Sequence, residues 1–181
     1  MNYPIDYITY EKDDKIPSYV ETSLKITKDK GFYVLPITPD NYNDIPAYHA
    51  GFKHMRDITI PKIKQLIKEN ENIEGFFIGE GDLLINDNYN FDTFLKENHE
   101  VPIWLGYKKK LKDYIVGNFL LYFPISHFEE LEQEFQKQTR LIYSDRFFTK
   151  LYRKGFIKLK DCSVAKEIEH WSNVINAVRK Q

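Results

Sequence analysis

Ile5-Asp-Tyr-Ile-Thr-Tyr10, the segment Pro17 to Lys30, and Phe32-Tyr-Val-Leu-Pro-Ile37 together form the stretch whose reading decides the fold. The first and third pieces are short and rich in β-branched and aromatic residues, as strands require. The middle piece has Pro near its start and Gly31 just past its end, the usual punctuation of a helix. Strand, helix and strand in that order predict a βαβ unit with parallel pairing and a right-handed crossover. The chain is therefore expected to be of the α/β class, with a mainly parallel central sheet. Thr38 to Pro46, rich in Pro, Asp and Asn, reads as a loop leaving the carboxyl end of the second strand.

Further along, a helical pattern runs from Tyr48 to Lys68. Pro61 restricts Ile60 and suits the first turn of a new helix, so an interruption is expected around Thr59. The strand Gly75-Phe-Phe-Ile-Gly-Glu80-Gly-Asp82-Leu-Leu-Ile85 comes next, apolar on both sides of an acid-Gly-acid triplet. Residues i and i+2 of an extended segment share a face, so Glu80 and Asp82 can converge on one ion or ligand, and Gly81 lets the backbone approach it. Unpaired buried carboxylates are costly, so a partner is expected. The alternative is a surface hairpin turn, since 29% of the chain is charged.

Phe91 to Asn98 reads as a short helix, Val101 to Leu105 as a strand, and Tyr114 to Phe123 as a long strand broken by Gly117-Asn118. Such a break marks either close approach of a ligand or a bulge. Ser126 followed by Glu129 predicts a capping box opening a helix to about Gln138, and Thr139 to Tyr143 leads into Ser144-Asp145-Arg146-Phe147-Phe148. Val164, Ile168, Trp171, Ile175 and Val178 recur at helical spacing, which predicts a docked amphipathic helix.

With 181 residues the length prior gives one domain over 1–181. Apolar content of 42% with 15% aromatics argues against disorder, and 26 basic against 27 acidic residues give no global field for nucleic acid or membrane. Cys162 stands alone, which excludes a disulfide framework and a cysteine-based metal site. No apolar run approaches the ~18 residues of a membrane span, and the acidic stretch Met1 to Asp14 does not read as a signal peptide. A soluble, intracellular protein is expected, in the host cytoplasm if the gene is viral. No Gly-x-Ser-x-Gly elbow or Walker loop occurs, so nucleophilic catalysis is not supported.

The order of these residues resembles a small, divergent GT-A-type glycosyltransferase, nearest in layout to the family of lipooligosaccharide and collagen galactosyltransferases. The parallels are the βαβ start, Gly51 with His54 on a helix, Glu80-Gly-Asp82, Ile103-Trp104-Leu-Gly106, Val116-Gly-Asn118 and Ser144-Asp145. Glu-Gly-Asp stands for the family's usual acidic triplet, and Lys53 for the Ser before its His. The resemblance implies a Rossmann-type GT-A-like fold and a metal-dependent transfer of a sugar from a nucleotide-diphosphate donor, a UDP-sugar foremost, to a hydroxyl acceptor.

That chemistry needs a cation to neutralise the leaving diphosphate, and hard Mg²⁺ or Mn²⁺ prefers carboxylate, phosphate and water oxygens. Asp82 is then a metal ligand, and Glu80 binds the metal or the ribose. His170 is the candidate imidazole for Mn²⁺, against a plain place at the edge of the tail's apolar stripe. Helical spacing puts His49, Lys53 and Arg56 on one face, as phosphate partners or as a solvated basic face. Thr9, Tyr10 and Glu11, where α/β sheets usually bind nucleotides, are assigned to base and ribose, with Asp40 a further ribose candidate. Gly117 and Asn118 face the sugar if the strand breaks to admit it. Asp145 is the candidate base of an inverting reaction, taking the acceptor hydroxyl's proton; its alternative is a helix N-terminal acid. Lys108-Lys-Lys-Leu-Lys112 is either a holder of an anionic acceptor or a solvated loop. The acceptor class stays open between protein, glycan, lipid and a modified nucleic-acid base. Two other functions also stay open: a noncatalytic nucleotide or nucleotide-sugar binding protein, and a divalent-metal nuclease or phosphohydrolase using Glu80, Asp82 and Asp145.

Overall fold

In the computed structural model, strand β1 (Pro4–Ile8), helix α1 (Ser18–Asp29) and strand β2 (Tyr33–Val34) form the expected βαβ unit, with β1 and β2 parallel. The structure describes residues 3–8, 18–36, 47–80, 83–85, 90–98, 100–106, 109–111, 114–116, 119–160 and 165–167. Gly31 ends α1 as its place in the sequence implies. It takes φ 86°, its N–H donates to the Lys28 carbonyl at 2.8 Å, and the Phe32 N–H donates to the Thr27 carbonyl at 3.2 Å. This is a left-handed helix cap that a residue with a Cβ adopts only under strain.

The chain continues through α2 (Ala47–His54), a π-helical turn (Met55–Thr59), α3 (Ile60–Glu69), β3 (Gly75–Glu80), β4 (Leu83–Ile85) and α4 (Phe91–Asn98). The strands β5 (Ile103–Gly106), β6 (Lys109–Leu111), β7 (Tyr114–Val116) and β8 (Phe119–Pro124) follow. Last come α5 (Phe128–Lys137), α6 (Ser144–Arg153), β9 (Lys158–Lys160) and β10 (Ala165–Glu167). Six strands make the central sheet in the order β2-β1-β3-β8-β5-β9. Only β8 runs against the others, since it is antiparallel to both β3 and β5 while every remaining pair is parallel.

Both faces of this sheet are buried, and the two-residue period of the strands sorts their side chains. Phe76, Ile78, Trp104, Leu121 and Phe123 point into a core shared with Phe52, Ile63, Leu131, Phe135, Phe147 and Leu151 of α2, α3, α5 and α6. Ile5, Tyr7, Phe77, Ile103, Leu105, Leu120 and Tyr122 fill the opposite core with Phe94 of α4.

Gly79 belongs to the second face by necessity. Tyr7 is its cross-strand neighbour in register, and a Cβ on Gly79 would lie 2.9 Å from the Tyr7 ring. The ring cannot swing aside, because Tyr7 is buried and its hydroxyl is 2.6 Å from Thr27 Oγ1 of α1. Gly79→Ala is therefore expected to destabilise the fold by roughly 1–3 kcal/mol through overpacking. Urea unfolding checks this, and Tyr7→Leu in the same chain should recover part of the loss.

Several elements differ from the sequence reading. The Tyr48–Lys68 pattern is not interrupted at Thr59; the helix continues through the π turn with α-helical backbone angles at His54, Thr59 and Ile60. The Ile60 N–H reaches back five residues to the Met55 carbonyl. Pro61 has no N–H to give, and widening one turn absorbs that lost bond without a break. Tyr114 to Phe123 is not one strand: β7 pairs with β6 in a hairpin, while β8 enters the central sheet. The capping box is not formed. Ile125–His127 is a 3₁₀ turn, His127 is the cap of α5 without a side-chain bond to the helix, and Ser126 Oγ lies 3.1 Å from His127 Nδ1 instead. The helix expected from Val164 begins as a strand, because Ala165–Glu167 pairs with the edge offered by β4; residues 168–181 lie outside the described set. Among the described residues no helix is long and apolar enough to cross a membrane.

Candidate functional site

Parallel β1 and β3 are in register at Ile8 and Glu80, the last residue of each strand. Their carboxyl ends therefore leave the sheet side by side, the edge at which α/β sheets bind ligands. The strand that carries Glu80 ends there, and the chain re-forms as β4 in a separate two-stranded ladder with β10. In that antiparallel ladder Leu83 is paired with Glu167. Leu83 is the residue after Asp82, and Glu167 is three residues before His170. The end of β10 therefore lies beside the start of β4. Thr9, Tyr10, Glu11, Asp40, Asp82, Gly117, Asn118 and His170 themselves lie outside the described residues, as does the Glu80 side chain.

Beneath this edge sits a polar group that the sequence reading missed. Asp6, in the middle of β1, is fully buried on the face covered by α3. The Thr59 hydroxyl donates to its Oδ2 at 2.6 Å, and the Lys62 ammonium donates to its Oδ1 at 3.0 Å. Lys62 also donates to the Pro36 carbonyl at 2.7 Å, beyond the end of β2. One carboxylate thus ties β1, the π turn, α3 and the segment after β2 together. The signal was present as a lone aspartate inside Ile5-Asp-Tyr-Ile8, and the partners were hidden more than fifty residues away.

The basic face of α2 and the π turn has a different engagement from the one expected. The Arg56 Nε lies 2.6 Å and the Lys53 Nζ 3.1 Å from the Asp57 carboxylate. Their hydrogen bonds, with Arg56 the larger influence, hold the Asp57 carboxyl below its usual range. The Arg56 guanidinium also lies over the Phe52 ring at 5.7 Å. A phosphate approaching these two cations has to compete with Asp57. His49 meets the Tyr143 ring edge to face at 5.6 Å, which links α2 to the start of α6.

Asp145 stands in the first turn of α6, half-buried. Loss of solvent pushes its carboxyl up to about 6. A helix N-terminus favours the charged carboxylate and lowers its pKa; here burial outweighs that, and no basic group among the described residues offsets it. A carboxylate near 6 is poised to accept a proton at neutral pH. His49 and Asp145 stand on two helices, α2 and α6, that pack together.

No protein-family model and no curated protein sequence matches the chain. Solved structures do. A glycosyltransferase involved in glycosylation of the major capsid of PBCV-1 is similar over 88% of this chain and 81% of its own, at 11% identity and a TM-score of 0.58. A197 from STIV is similar over 93% and 86%, at 9% identity and a TM-score of 0.55. The chain therefore has a GT-A-like α/β fold, and at these identities the likeness extends to the fold alone.

Proposed function

We propose that the protein is a transferase of the glycosyltransferase class that takes a nucleotide-diphosphate sugar as donor and a hydroxyl as acceptor, with a divalent cation at Glu80-Gly-Asp82. The observation that carries this reading is the pairing of Leu83 with Glu167. Leu83 follows Asp82 directly and Glu167 precedes His170 by three residues, which supports assigning both to one site although 88 positions separate them in the sequence. The GT-A-like fold supports the same reading. The narrower kinship with lipooligosaccharide and collagen galactosyltransferases rests on the quoted motifs.

The donor set fits a hard cation. Glu80 and Asp82 would supply carboxylate oxygens and His170 an imidazole, a combination that suits Mn²⁺. When bound, the cation would neutralise the charge that develops on the leaving diphosphate. Thr9, Tyr10, Glu11 and Asp40 would hold base and ribose, and Gly117 and Asn118 the sugar. Asp145 would take the proton of the acceptor hydroxyl as its oxygen attacks the anomeric carbon, giving inversion.

Calorimetry tests this directly. Uridine diphosphate should bind at least ten-fold more tightly with Mn²⁺ than with chelator, and Asp82→Asn should abolish that difference. His170→Ala should weaken the Mn²⁺-dependent part. Metal-independent binding that survives Asp82→Asn would instead identify a noncatalytic nucleotide-binding protein.

A further inference from the structure

Helix α6 carries Arg146, Lys150 and Arg153, and Lys154 caps its end; all four line a cleft of about 740 Å³ together with Tyr143 and the buried Thr149. Residues 146, 150, 153 and 154 fall at the spacing of a single helix stripe, so like charges face each other at three and four residues' separation, an arrangement that destabilises a helix. Lys150 and Arg153, in the last turn, suit the negative end of the helix dipole, but Arg146 stands in the first turn, where a cation is unfavourable. Helix stability therefore does not account for the stripe. Lys154 pairs with Glu134, whereas Arg146 and Arg153 make no ion pair with any described residue.

A second, separate segment packs against α6. The hairpin of β6 and β7, which contains Lys109-Lys-Leu111 of the lysine-rich run, packs with β7 against α6. The whole chain carries a formal charge of −1, so this concentration is local. Tyr143 is 45% exposed even though His49 contacts one edge of its ring.

We propose that this cleft binds a single-stranded nucleic acid segment, with the cations along α6 meeting successive phosphates and Tyr143 stacking a base. Arg146 to Arg153 spans about 10 Å of helix axis at 1.5 Å per residue, long enough to meet more than one phosphate of a strand. A basic groove with an aromatic platform is the chemistry that holds such strands without reading sequence. Asp145 precedes Arg146, so under the transferase reading, on which this clause alone rests, the strand is the acceptor.

The test uses the full chain without donor. A fluorescent oligothymidylate should bind with an affinity that falls with salt. Arg146→Gln/Arg153→Gln, both at exposed positions, should keep the native melting temperature, weaken strand binding at low salt by ten-fold or more, and make the slope of log K against log salt shallower by roughly 1.4, about 0.7 per cation removed. Asp82→Asn should bind the strand as the native protein does, which keeps this result separate from the fate of the transferase reading. Absence of strand binding, unchanged binding by the double variant, loss of binding on Asp82→Asn, or thymidine monophosphate binding as tightly as the strand would each overturn the proposal.

Discussion

Replacing Lys62 with alanine is expected to destabilise the protein by about 3 kcal/mol, the lower end of the 3–5 kcal/mol usual when one partner of a buried ion pair is removed. Asp6 is fully buried, and without the ammonium its carboxylate keeps only the Thr59 hydroxyl among the described donors. The Lys62 side chain retains 23% of its exposure, so water can follow it in part, which places the cost at the low end. Lys64→Ala, two residues along the same helix, is the matched control. Its pair with Glu132 at 2.7 Å is half exposed on the lysine side, and surface pairs contribute about 0–1 kcal/mol. Removing both charges together, as Asp6→Leu/Lys62→Met, should cost much less than Lys62→Ala alone, because no orphaned charge remains. Urea unfolding of the four proteins decides it; equal effects of Lys62→Ala and Lys64→Ala would show that Asp6 is hydrated and that the network does not fasten β1 to α3.

The parts of this architecture that are local in sequence were legible there. The βαβ start, the Gly31 cap and the helix at Phe91–Asn98 follow from periodicity and punctuation within a dozen residues. The parts that depend on distant partners were not. Apolar patterning cannot say that Tyr114–Val116 would leave with β6 while Phe119–Pro124 inserts between β3 and β5, since both segments are equally strand-like. The tail's helical spacing from Val164 lost locally to an open strand edge at Leu83–Ile85, a case of tertiary context overriding propensity. Ser126 and Glu129 had the spacing of a capping box, but a 3₁₀ turn starting at Ile125 moved the cap to His127. At the site, Glu80-Gly-Asp82 was readable because acids interrupt an apolar run. Asp6 obeys the same rule with a single acid, and its significance appears only once Thr59 and Lys62 are folded over it.

Asp145→Asn is expected to lower sugar transfer or donor hydrolysis by about 10²-fold or more, the scale of a lost general base, while raising the melting temperature at pH 7. The two signs together separate base from cap. The folded carboxyl titrates near 6, above the ~3.9 of an unfolded aspartate. The native state therefore binds this proton more tightly than the unfolded chain, and ionisation carries a penalty that is fully present above about pH 6 and relieved as pH falls toward 4. Asparagine removes the penalty, so the variant should be the more stable protein at pH 7 and should lose that advantage near pH 4. A helix-capping aspartate would behave in the opposite way, because its replacement would cost stability at neutral pH. Activity of the native protein should rise with pH through about 6, as the carboxylate that accepts the proton becomes ionised. Thermal melts at pH 4 and 7 and a pH–rate profile measure all three effects. A variant that melts lower at pH 7 and loses activity only in proportion to the unfolded fraction would assign Asp145 to the helix and remove it from the chemistry.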